Sequence, residues 1–184
     1  KPYGSMSADE VPHIAYSLDG VTWTQVTYPA TDVYSGNITV PKGKKVYFRA
    51  CDAENASLAG TNETFSLSST KYIKILCNDN FNAGGNTMSL LKGADFESMN
   101  AVPSYAFYNL FYNLPYLEDA SALVLPATEL AEYCYASMFS GCINMTAAPE
   151  LPATTLANNC YEGMFNGCKS LKVAPKLNSL LLRD

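Results

Sequence analysis

The residues best suited to chemistry are six cysteines, four of which stand in two near copies, CYASMFSGC from Cys134 to Cys142 and CYEGMFNGC from Cys160 to Cys168. Thiolates ligate zinc, pair as disulfides and act as nucleophiles, so their spacing decides what they can do. Zinc sites favour cysteines two to four residues apart with a second pair or a histidine close by. Here seven residues intervene, and the single histidine, His13, lies far upstream. A disulfide within one copy would have to span ~12 Å if the string is helical, beyond the ~7 Å limit on Cα separation. Equivalent cysteines on neighbouring helices are no better placed, because packed helix axes lie ~8 to 10 Å apart. An earlier, degenerate copy carries Ala106 and Leu114 where the others carry cysteine. Cys134, Cys142, Cys160 and Cys168 therefore read as buried free thiols, forming a repeat core with Met138, Phe139, Met164 and Phe165.

The other candidate groups are scattered. A Ser or Cys nucleophile would need His13 as its base, and that residue runs straight into strand-forming sequence. Glu118-Asp119, Glu129 and Glu132 stand among Asn and Tyr and read as solvated charge rather than an acid–base pair. SLDGVTW, Ser17 to Trp23, resembles an Asp-box turn but lacks the residue between Asp and Gly, and it occurs once; a hairpin turn is the simpler reading. CNDNFNAGGN, residues 77–86, is rich in oxygen ligands, yet Phe81 falls at the third position of a calcium loop and no Glu stands at the twelfth. It reads as a flexible connection. No Gly-Lys-Ser or Gly-Lys-Thr marks a phosphate loop. No catalysis, metal or cofactor is expected.

A net charge of −5, a pI near 4.8 and the absence of any Lys/Arg run argue against nucleic acid or an anionic lipid surface as partner. No stretch reaches the roughly 20 apolar residues of a membrane span. The 13 tyrosines and few charges suit an extracellular protein, whose removed leader could carry a lipid anchor.

Two rhythms divide the chain. Up to about residue 90 it reads as short strands: a hairpin around Asp19-Gly20, a second joining residues 37–40 to 45–50, and further strands at TFSLSS, KYIKILC and TMSLL. Such spacing suggests an antiparallel, Ig-like β-sandwich. Cys51 and Cys77 fall on separate strands of it. A disulfide between them would suit an oxidising compartment, whereas strand parity allows them to face different sides. From about residue 103 a repeat takes over, with Cys, Met-Phe, Gly-Cys, Pro and Leu positions recurring at an offset of 26; the first copy carries a two-residue insertion. Within a copy, Leu156, Cys160, Met164 and the pair Tyr161 and Phe165 recur at i and i+4, predicting one helix followed by a short strand at SLKVAP. The expected class is α+β, with a sandwich over residues 1–90 and a short stack of about two and a half repeats over 91–184.

The string CYASMFSGCINMTAAPELPATTLANNCYEGMFNGCKSLKVAPKL resembles the BspA-like leucine-rich repeats of bacterial surface proteins, found mostly in Bacteroidetes. The resemblance covers roughly residues 12–178 and implies a leucine-rich-repeat-like solenoid behind a small β domain. It also implies a protein exported to the cell surface that adheres to host components or neighbouring cells. It carries over no ligand-contacting residue, since the matching positions are core positions. A binding module recognising an extracellular protein or glycan is therefore the expected function, with Tyr108, Tyr112, Tyr116 and Tyr133 as candidate contacts, because tyrosine offers large amphipathic area at low entropic cost. Tyr135 and Tyr161 share a repeat position and are expected in the core. The alternatives are a glycan-processing domain or an architectural segment of a larger surface protein.

Overall fold

The computed structural model describes residues 2–4, 6, 10–26, 38–51 and 66–178. Strand β1 (Pro2–Tyr3) pairs antiparallel with β5 (Tyr72–Ile73). Strands β2 (Ile14–Ser17), β3 (Thr24–Gln25) and β4 (Tyr47–Ala50) form a second antiparallel sheet with β2 in the middle. Ile14, Ala15 and Ser17 are buried, so this short strand is covered on both faces. The β2–β3 hairpin closes through a longer loop than a two-residue turn. Its tip is held by Asp19, whose Oδ1 accepts hydrogen bonds from the N–H groups of Val21 and Thr22 (2.8 and 2.7 Å) and from the Ser17 hydroxyl (2.8 Å).

The Ig-like sandwich does not form. The turn at Pro41–Lys44 is present, with Lys44 N–H donating to Pro41 O, but β4 pairs with β2 rather than with residues 38–40. Asn37, and Thr64 and Phe65 of the expected TFSLSS strand, lie outside the described residues. Two corrections follow at residues 77–91. FNAGGN is strand β6 (Phe81–Asn86), not a connection, and it pairs in parallel with β8 (Leu117–Val124). A Cβ at Gly84 would sit 3.2 Å from that of Ala122, which is why this strand needs glycine at its closest approach. TMSLL, expected as a strand, enters the short helix α1 (Ser89–Lys92), with Asn86 Oδ1 accepting the Met88 N–H; Met88, Leu90 and Leu91 are all buried. A 3-10 helix, Gly93–Ser98, leads to β7 (Ala101–Val102), which pairs in parallel with β9 (Glu129–Leu130).

The expected helix in each repeat is the largest correction. Among the described residues the regular structure is mostly small sheets, with one four-residue α-helix and no closed barrel, so the helix content expected of the α+β reading and its solenoid of helix-plus-strand leucine-rich repeats do not hold. Residues 104–113, 132–141 and 158–167 are chained turns, here called coils 1, 2 and 3. Every fourth residue is left-handed: Tyr105, Asn109 and Asn113, then Tyr133, Ser137 and Gly141, then Asn159, Gly163 and Gly167. An α-helix cannot absorb such residues, and Asn and Gly adopt this conformation at least cost. Within a coil, even-numbered residues donate back three positions, as Tyr108 does to Tyr105. The odd-numbered N–H groups point to the next coil. Tyr105, Phe107, Asn109, Phe111 and Asn113 donate to the carbonyls of Glu132, Cys134, Ala136, Met138 and Ser140, and five bonds of the same kind run from coil 2 to coil 3.

Side chains follow the same layering. Phe111, Phe139 and Phe165 stack at 5.4 and 5.6 Å with their planes nearly parallel, and Phe107, Tyr135 and Tyr161 form a second column at 5.6 and 5.9 Å. Each cysteine after the glycine also donates its thiol to the preceding coil: Cys142 Sγ to Phe111 O and Cys168 Sγ to Phe139 O, both 3.1 Å. The expected strand at SLKVAP does not form: the bridge from Leu151 reaches Leu177, beyond that segment, and Val173 is 76% exposed. Residues from both sides of position 90 share one core, in which Ile14, Ile73 and Met88 join the buried residues of coils 1 to 3. Residues 179–184 lie outside the described residues.

Candidate functional site

The left-handed residue that opens coils 1 and 2 is a tyrosine in both cases, and this places two rings in register on one flank of the stack. Tyr105 and Tyr133 lie face to face at 5.0 Å with 13° between their planes. The column ends there, because coil 3 has Asn159 at that position. Tyr108, one turn further along coil 1, meets Tyr105 edge-on at 5.8 Å. Tyr72 of β5 meets Tyr108 edge-on at 5.6 Å. The four half-buried rings form one continuous aromatic surface built by two coils and a sheet edge. The small Ala136 stands where coil 2 repeats the Tyr108 position and is itself buried.

The surroundings of this surface are acidic. Partial burial, then the neighbouring Tyr133, Glu132 and Tyr108, push the Tyr105 phenol above its usual value. Burial, then Tyr72 and Glu162, do the same for Tyr108. These phenols stay neutral hydrogen-bond donors across the physiological range, next to two exposed glutamates.

Of the tyrosines singled out in the sequence, the structure joins Tyr108 and Tyr133 through Tyr105. Tyr112 is 40% exposed and carries Lys74 Nζ over its ring at 5.2 Å. Tyr116, also 40% exposed, lies on the turn into β8, where its carbonyl accepts the Phe81 N–H. Among the described residues no ring contact links it to the others. Tyr105 and Tyr72 were missed. Tyr105 was within reach of the repeat register, because it stands 28 residues before Tyr133, the offset set by the insertion in the first copy. Tyr72 had no such signal, since only the fold brings β5 against coil 1.

The repeat-core residues lie inside the stack. Cys134, Met138, Phe139, Cys142, Cys160 and Met164 are buried, while Phe165 and Cys168 on the last coil are half-buried. Tyr135 is fully buried and Tyr161 half-buried. Burial raises the thiol of Cys142 to about 12 and that of Cys134 further, so both are poor nucleophiles. Cys77 is a free thiol, so no disulfide joins it to Cys51. Cys51 is buried against Ala15 and Trp23, while Cys77, half-buried, donates its thiol to Asp79 O. Among the described residues no group of three or more His, Cys, Asp or Glu side chains is arranged to hold a metal ion.

Two of the carboxylates considered for acid–base work, Glu118 and Asp119, accept hydrogen bonds from neighbouring donors, as does Asp19 at the hairpin tip. Hydrogen bonds from the N–H groups of Thr22 and Val21 and the Ser17 hydroxyl hold Asp19 well below the usual carboxylate range, and bonds from Ser121 lower Asp119. Glu118 accepts the Asn80 side-chain amide at 2.6 Å. A general acid needs a shift in the opposite direction. No helix among the described residues is long and apolar enough to cross a membrane. No family model matches the chain, and neither a curated protein nor a solved structure matches it.

Proposed function

We propose that the chain is a non-catalytic recognition module acting at the cell surface, and that the tyrosine face of coils 1 and 2 engages an extracellular protein or glycan. The observation that carries this reading is the continuous surface of Tyr72, Tyr105, Tyr108 and Tyr133, with centroid separations from 5.0 to 5.8 Å. Two interlayer hydrogen-bond ladders hold it in place. Aromatic rings on a rigid frame bury area on binding without losing much side-chain freedom, and phenol hydroxyls supply directional contacts at the rim. The likeness of the repeat string to BspA-like sequences supports the extracellular setting.

The test is binding of the purified chain to immobilised glycans and extracellular-matrix proteins, alongside a Tyr105→Ala, Tyr133→Ala double variant. Removing two central aromatics is expected to weaken a genuine ligand by about 2 kcal/mol or more, while the near- and far-ultraviolet circular dichroism shows the stack intact. Binding untouched by the double variant would move the site off this face.

A further inference from the structure

Among the described residues the stack is covered at one end and open at the other. At coil 1, Ile75 N–H donates to Leu110 O, and Lys74 lies over Tyr112, so the first half of the chain covers that end. At coil 3, the N–H groups of Tyr161, Gly163, Phe165 and Gly167 occupy the positions from which coils 1 and 2 donate onward, and among the described residues none has an acceptor. Tyr161 and Phe165 each stack on one face only, against Tyr135 and Phe139, and are half-buried where their counterparts Tyr135 and Phe139 are fully buried. Cys168 donates to Phe139 O, and the equivalent carbonyl for a further layer is that of Phe165.

We propose that this open face docks a polypeptide segment of the same repeat pattern, which folds onto coil 3 as a fourth layer. The argument is continuity with the interface already formed twice within the chain. The occupant must present carbonyls at alternate residues, an aromatic over Tyr161 and another over Phe165, and a thiol toward Phe165 O. The CYxxMFxGC pattern supplies all of these. A second copy meeting the same face head-on fails, because donors would then face donors. A second copy stacked head-to-tail fails as well, because its coil 1 is covered. The inference is independent of the tyrosine face, which lies on the flank of the stack.

The experiment uses the full chain and a fluorescein-labelled synthetic peptide with the sequence of residues 153–178, under reducing conditions. Anisotropy should show saturable one-to-one binding that a scrambled peptide lacks. Hydrogen exchange should show new protection at the Tyr161, Gly163, Phe165 and Gly167 amides. Phe165→Asp in the chain should weaken binding more than about tenfold, and the same change in the peptide should do likewise. Equal binding of the scrambled peptide would overturn the proposal, as would protection of these amides by self-association without peptide. Saturable binding that leaves the four amides unprotected would overturn it too.

Discussion

Gly141 shows how narrowly a single position is defined in this stack. Its φ is +78°, and a Cβ built there would lie 3.1 Å from both Cα and Oδ1 of Asn113 in the coil below. Gly141→Ala combines left-handed strain with a backbone clash, and a loss of about 2 kcal/mol is expected in urea unfolding. The same change at Gly167 meets only the backbone of Gly141 in the preceding coil at 3.7 Å, so strain alone should cost about 1 kcal/mol. Equal losses at the two sites would show that close packing between coils is not what selects glycine at 141. The cysteines make a second residue-scale case. Read from sequence as small apolar fillers, Cys142 and Cys168 also donate their thiols across the layers, a role that Ala106 and Leu114 in the first copy had concealed. In the native chain an alkylating reagent at neutral pH should modify the half-buried Cys77 and Cys168 well before the buried Cys51, Cys134, Cys142 and Cys160, as peptide mass mapping would show. Early labelling of Cys134 or Cys142 would mean that the stack opens.

At the scale of the element, apolar residues at i and i+4 do not distinguish a helix from a chain of four-residue turns over so short a string. Both place Cys160 and Met164 on one side, and over ten residues a 3.6-residue period slips from a 4-residue one by only about one residue. The discriminating signal was polar: Asn109 with Asn113, and Asn159 with Gly163 and Gly167, mark every fourth residue as left-handed. The repeat offset and its inward-facing residues were legible because a stack buries the same side chain in each layer. The short strands were less so. β6 carries two glycines and an exposed Asn82, and only its parallel partner β8, some 30 residues on, makes it a strand. Of the candidate surface, the rings within the repeat could be found from their register, while Tyr72 depended on a long-range contact. Phe139, held between Phe111 and Phe165 and fully buried, is the side chain on which adjacent layers most depend. Phe139→Ala should cost about 3 to 5 kcal/mol, whereas Phe165→Ala, stacked on one side and half-buried, should cost about half as much. Comparing the two by thermal unfolding tests whether the column acts as a layered core.

For the whole molecule, burial of thiols and phenols couples stability to alkaline pH. Cys134, Cys142, Cys160 and Cys168 and the phenols of Tyr105, Tyr108, Tyr135 and Tyr161 are all raised in the fold. Groups whose folded values are raised contribute stability that is complete below their unfolded values and is lost as pH climbs toward the folded ones. Melting temperature should therefore hold steady up to about the ordinary thiol value of 9.0 and fall between there and about 12, the folded value of Cys142. A flat profile across that interval would mean that the thiols are solvated.

The ladders between layers have one more effect. Each odd-numbered N–H belongs to the same peptide group as the even-numbered carbonyl before it, so Tyr105 donates to Glu132 O and Tyr133, in turn, to Asn158 O. Five such columns run side by side, and every peptide dipole in them points the same way, as along the axis of a helix. Their fields add, and neighbouring hydrogen bonds polarise one another. The third coil thus forms the positive pole of an acidic molecule of net charge −5, and an approaching segment with acidic residues is drawn to it by a force that added salt weakens.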